Sequence, residues 1–221
     1  MTPRLYVVLG LLVMVAPLST SLYSPGLPSL ADSLDVSTSG AQWTISAAVF
    51  GLALGQLILG SLSDRFGRRL PVLIGISVFV VATVLCAIAP TLPFLIVVRF
   101  IQGFSGAAGA VIARATIRDL TSGGSAAQAL SRLLMVVGVA PIIGPVLGGQ
   151  VLRLTDWRGL FVTLAIASAI SLIVAVLWFP ETLPADRRLG QKKDGIGTRA
   201  ALRVLLSDRT VLVVLAITTL L

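Results

Sequence analysis

The sequence predicts an all-α integral membrane protein: six transmembrane helices in one bundle, followed by the start of a seventh. Three observations lead there. Hydrophobic residues make up 56% of the 221 and charged ones only 12%, with a mean hydropathy of +1.01. A water-soluble domain of this length could not hide so much apolar surface, so lipid must be the solvent. The apolar residues gather into stretches of about 20, the length that crosses a bilayer as a helix. The basic residues are distributed very unevenly between the stretches that separate these runs.

The spans fall near 5–22, 42–62, 70–89, 92–116, 131–152 and 159–179, with a seventh starting near 210. The first carries Arg4, an apolar core and small residues near Ala16 to Ser21, as a cleaved leader would. Its run is long, however, and flows into Tyr23–Pro28, which favours a retained helix. With the amino terminus cytoplasmic, Arg4, Arg65, Arg68, Arg69, Arg114, Arg118 and Arg132 lie inside, as do all the Arg and Lys from Arg187 onward. Only Arg153 and Arg158 lie outside, and Arg99 falls within the fourth span. That bias sets the orientation by the positive-inside rule. The net charge of +8 therefore reports topology and not a nucleic-acid partner. Residues 1–180 form the bundle, 181–208 a polar cytoplasmic loop, and 209–221 the truncated seventh helix. Within the loop, Thr198 to Leu206 reads either as a short amphipathic helix on the anionic leaflet or as a solvated linker.

Several chemistries are disfavoured. There is no His, and the single Cys86 lies inside an apolar run, so an intramolecular disulfide is impossible and a zinc or haem site is not expected. No nucleophile–base pair, metal cluster or phosphate loop is visible, so neither enzymatic activity nor a cofactor is expected.

Three segments carry chemistry. Between the second and third spans, Gly60 to Leu73 reads G-S-L-S-D-R-F-G-R-R-L-P-V-L. Gly60 would let a neighbour approach where the second helix ends. Asp64 suits a helix amino terminus or an arginine. Gly67 permits a left-handed reversal before Arg68 and Arg69. Together with Arg65 these residues read as an ionic latch; the alternative is a positive-inside anchor, which explains neither Asp64 nor the glycines. In the fourth span, Arg99 sits among apolar residues, with Gln102 and Gly103 one turn on. It faces either a wet protein interior or snorkels to the outer interface. The fifth span carries Gly138, Pro141, Gly144, Pro145, Gly148 and Gly149. The two prolines, four residues apart, place both gaps in backbone hydrogen bonding on one face and predict a bend. The glycines allow tight packing beside it. A helix kinked for structure alone remains the other reading.

These segments resemble three motifs of the major facilitator superfamily of membrane transporters: the loop after helix 2, the arginine motif of helix 4 and the antiporter motif of helix 5. Leu18 to Pro28, Arg114 to Leu120, Trp157 to Phe161 and Pro180 to Leu183 resemble Bcr/CflA-type drug-resistance exporters. The resemblance implies the amino-terminal half of a twelve-helix fold, each half built of two inverted three-helix repeats. A faint internal echo, Asp64–Gly67 against Asp156–Gly159, agrees with such repeats. The resemblance further implies proton-driven drug export across the bacterial inner membrane by alternating access. The partners expected are a small-molecule substrate, protons, membrane lipid, and the missing carboxy-terminal half or a second half-transporter. Tyr23, Gln42 and Gln56 are candidate cavity contacts. One departure stands out: Ser21 occupies the place of an aspartate typical of this group, which puts proton coupling through this half in doubt. The competing functions are movement of a defined metabolite, such as a sugar or amino acid, and a non-transporting assembly partner.

Overall fold

The structure, a computed structural model, describes residues 2–184 and residue 188. Among these residues it is helical throughout, with no strand. Its elements are α1 (Pro3–Ser21), a 3-10 turn (Ser24–Gly26), α2 (Leu27–Ser33), α3 (Thr38–Phe66), α4 (Arg69–Ala87), α5 (Leu92–Leu120), α6 (Gly123–Leu152) and α7 (Trp157–Trp178). Six of the helical segments are long and apolar enough to cross a membrane. The expected amphipathic helix at Thr198 to Leu206 and the seventh span lie outside the described residues, as does most of the 181–208 loop.

Helix ends follow local chemistry more closely than hydropathy does. Thr2 caps α1 by accepting from the Leu5 amide, with Pro3 in the first turn. Ser37 caps α3 through the Gly40 amide at 3.1 Å, and Asp156 caps α7 through the Arg158 amide at 3.0 Å. Three spans outrun their apolar cores, of which only α3 does so behind a side-chain cap. The second begins at Thr38 and not at 42, the fourth runs on to Leu120, and the fifth begins at Gly123, eight residues before 131. Polar first and last turns stay helical here, with a side-chain cap at α3 and without one at α6, and hydropathy does not register them. The first span breaks at Leu22 and continues as α2, an extra short helix that hydropathy missed.

The packing is symmetric under exchange of two three-helix units, α1–α3–α4 and α5–α6–α7. Helix α1 packs on α6 as α5 packs on α3; α4 meets α5 as α7 meets α1; and α4 and α7 pack on each other. Arg4 lies over the Trp178 ring, so α1 starts at the end where α7 finishes, while α5 ends beside the start of α4. The two units thus run in opposite senses, as inverted repeats do. The helices form a row, α6–α1–α5–α3, backed by α4 and α7. Helix α5 is the most buried span, and α3 and α6, at the ends of the row, are the least buried.

Small residues set the closest approaches. A Cβ at Gly51 would strike the Phe100 carbonyl, one at Gly103 the Ala48 carbonyl, and one at Gly109 the Leu12 carbonyl. Bare backbone therefore meets bare backbone along α3–α5 and α1–α5, the usual way membrane helices gain contact without a hydrophobic driving force. Cys86 is fully buried at the other end of the bundle, among Tyr23, Trp157 and Phe161.

Candidate functional sites: a charged rim and a buried arginine

At one end of the bundle, the reversal from α3 to α4 takes only Gly67 and Arg68. The second span, expected to end near 62, continues as helix to Phe66. Gly60 lies two turns inside α3 and meets only a Val111 methyl at van der Waals distance, so it does not mark the helix end. Gly67 does adopt a left-handed φ of +91°, and a Cβ there would collide with the Glu181 carboxylate.

Arg68 is buried and is the centre of the rim. Its Nη1 donates to Asp64 Oδ1 at 2.5 Å, one turn back on α3, and to Ser63 Oγ at 2.7 Å. Its Nε donates to Asp119 Oδ2 at 2.8 Å, near the end of α5, and Nη2 reaches Oδ1 of the same carboxylate at 3.4 Å. Burial alone would lower the Arg68 pKa; the bonds to Asp119 and Asp64 outweigh it and push it up. Behind it, the Glu181 carboxylate, three residues past α7, accepts from the backbone amides of Arg68 (2.8 Å), Arg69 (3.3 Å) and Leu183 (3.0 Å). Burial would raise the Glu181 pKa, but these amides and the Arg188 guanidinium 3.6 Å away hold it below the usual carboxylate range. Arg69 donates to the Val176 carbonyl at 3.0 Å. Arg65 is exposed. The cluster ties the ends of α3, α5 and α7 to the start of α4. Asp119 and Glu181 were not foreseen as partners of this turn, although both are carboxylates at span ends on its side of the membrane.

The sequence echo at the opposite end has a different geometry. Asp64 pairs with Arg68 in the turn just past the end of α3, whereas Asp156 caps α7. Gly159 is helical and closely faces Thr155.

Deep in the bundle, Arg99 on α5 is fully buried, so it does not snorkel. Its Nη1 donates to Gln102 Oε1 at 2.7 Å and to the Ser19 carbonyl of α1 at 3.4 Å. Gln102 donates in turn to Thr83 Oγ1 on α4 at 2.7 Å. The guanidinium lies 4.7 Å from the Tyr23 ring centre and 5.6 Å from that of Phe161 on α7, within cation–π range. The Tyr23 and Phe161 rings stack at 5.0 Å. Arg99 Nε and Nη2 have no hydrogen-bond partner among the described residues, and neither has Trp157 Nε1 nearby. Thr83, Phe161 and Thr44 carry no signal in the sequence that would have placed them here.

The remaining candidates do not converge. Tyr23 is buried, with its hydroxyl 3.0 Å from Thr44 Oγ1, so it braces α3 and does not line an open cavity. Gln42 is exposed and Gln56 half-buried on α3; fourteen residues of rise separate them by about 21 Å. On α6 the helix is continuous through Pro141 and Pro145, both exposed. Cβ atoms at Gly144 and Gly148 would collide with Ser21 and Leu22, so these two glycines seat the end of α1. Gly138 and Gly149 face open space.

Six apolar spans in two inverted triplets, with an arginine–carboxylate rim at a glycine turn, define a multi-pass membrane protein of transporter architecture. The chain belongs to the Major Facilitator Superfamily, whose family model matches residues 9–221. It is 37% identical over 205 residues to the uncharacterized MFS-type transporter YdgK of Bacillus subtilis, covering 91% of this chain and 50% of the relative. It is 32% identical to the multidrug resistance protein D of Escherichia coli, over 83% of this chain and 46% of the relative. With the bicyclomycin resistance protein homolog of Haemophilus influenzae it shares 30% identity over 82% of this chain and 46% of the relative. Among solved structures, the partially occluded inward-open xylose transporter XylE of E. coli superposes with a TM-score of 0.73 at 18% identity, over 85% of this chain and 52% of that one. At that identity the likeness concerns the fold alone. The chain spans about half the length of the curated relatives it matches.

Proposed function

We propose that this chain forms the amino-terminal half of a secondary transporter that exports drugs or other small lipophilic compounds across the bacterial inner membrane. Transport proceeds by alternating access driven by the proton gradient. The observation that carries the mechanism is the rim. One buried guanidinium at the start of α4 holds the ends of α3 and α5 through two carboxylates, and such a cluster holds together in one arrangement and breaks in another. Bicyclomycin- and multidrug-resistance relatives support the direction and the substrate class. The clustering of basic residues supports a cytoplasmic rim and amino terminus. In this reading α6, α1, α5 and α3 face a second six-helix half across the substrate path, and the half-exposed Gln56 contacts cargo.

The test is dye export from cells carrying the intact protein. Accumulation should fall on expression and recover when an uncoupler collapses the proton gradient. Asp64→Asn should abolish export while the protein still reaches the membrane. A reporter active only in the cytoplasm should glow when fused after Glu181 and stay dark when fused after Arg153. Uncoupler-insensitive export, or the reverse reporter pattern, would overturn the mechanism or the orientation respectively.

A further inference from the structure

A positive charge is buried where membrane proteins usually pair one. Arg99 has no carboxylate partner among the described residues; its polar contacts are an amide oxygen and a carbonyl, and two of its nitrogens donate to nothing. Its neighbours are instead two aromatic rings, whose faces stabilise a cation without cancelling its charge. None of the nine acidic residues of the sequence lies in the interior of a membrane span, and Ser21 leaves the end of α1 uncharged. Arginine keeps its proton under physiological conditions. The interior of this half therefore carries one uncompensated positive charge in a low-dielectric setting.

Its position makes the charge felt. Arg99 sits in the seam between the row α6–α1–α5–α3 and the backing pair, bonded to α1 and α5, the two central helices of the row. A compound crossing in front of that row lies about one helix diameter away, roughly 10 Å. At that separation, with an effective dielectric of about 20, a unit charge changes an equilibrium by roughly 15-fold. At the rim end, Arg114 on α5 and Arg132 on α6 are exposed on helices of the same row. They extend the same sign to the entrance and raise the local concentration of anions.

We propose that the cargo is neutral or anionic, that lipophilic cations are rejected, and that Arg99 is the residue that sets this preference. Tyr23 and Phe161 are positioning residues: they hold the guanidinium charged, in place and out of reach of a carboxylate. The proposal rests on the export reading above and deepens it by giving the sign of the substrate.

The test uses the intact protein in proteoliposomes with the membrane potential clamped to zero. Three dyes on one xanthene scaffold serve as probes: fluorescein methyl ester (a monoanion), its O-methyl ether (neutral) and the corresponding rhodamine methyl ester (a monocation). The expected result is transport of the anion and the neutral dye, with the cation at least tenfold slower. Arg99→Gln should close that gap and Arg99→Lys should preserve it. Ser21→Asp, which leaves the aromatic cage intact, should narrow it if the glutamine variant does not fold. Equal transport of cation and anion by the unaltered protein overturns the sign preference and leaves export standing. Transport of none of the three overturns both.

Discussion

Arg68 is held by more charged contacts than any other described side chain, and its removal should be felt at three helix ends. Arg68→Ala leaves the half-buried Asp119 without a donor and should lower stability by about 2 kcal/mol, the usual scale for a lost hydrogen bond to a charged group. Arg68→Lys should rescue little, because an ammonium cannot serve Asp64, Ser63 and Asp119 at once in the fixed geometry of a guanidinium. Thermal unfolding in detergent, followed by circular dichroism, measures both. Glu181 offers a pH test. Its carboxyl titrates below the usual carboxylate range when folded. Its stabilisation is therefore present above the unfolded carboxylate pKa and fades as pH falls through the lowered folded value. The melting temperature of the unaltered protein should drop through that acidic window, and the drop should be smaller in Glu181→Gln. At neutral pH the glutamine variant should already melt lower, by roughly the 0.5–2 kcal/mol of a lost helix cap.

The row is held at its tightest point by α3 against α5. Gly51→Ala or Gly103→Ala drives a methyl into a backbone carbonyl, which no rotamer change can relieve. Each should cost about 1–3 kcal/mol by overpacking and reduce the folded yield. Gly138→Ala and Gly149→Ala, which face open space, should be nearly neutral for folding. The glycines of the antiporter-like segment thus divide into two that pack and two that do not. Their spacing alone could not tell them apart, because the phase of α6 is fixed by its contact with α1. A loss of export in Gly138→Ala at unchanged melting temperature would assign that glycine to the path rather than to packing.

The bundle itself was legible from hydropathy: the number and order of the spans follow from where apolar runs are long enough for lipid. The exact ends were not, because Ser37 and the polar first turn of α6 extend helices past their apolar cores. Arg99 was legible as an anomaly, since a charge in a long apolar run must be accounted for. Its aromatic cage was not, because Tyr23 and Phe161 lie 76 and 62 residues away in the chain and meet it only once α1 and α7 pack. The rim turn was legible through Asp64 and Gly67, whereas the anchoring role of Glu181 depends on the sixth span returning to the same edge. For the whole molecule, the least buried helices are α3 and α6, which carry exposed Trp43, Phe50, Leu57, Ile142 and Val146.

The single thiol of these 221 residues, Cys86, lies fully enclosed beside Tyr23 and Trp157. A maleimide or a spin label applied to the folded protein should therefore leave it untouched. Single cysteines introduced along α3 and α6 would then report their own surroundings against an almost silent background. For this half of the bundle, the sequence already supplies what scanning experiments usually have to engineer first.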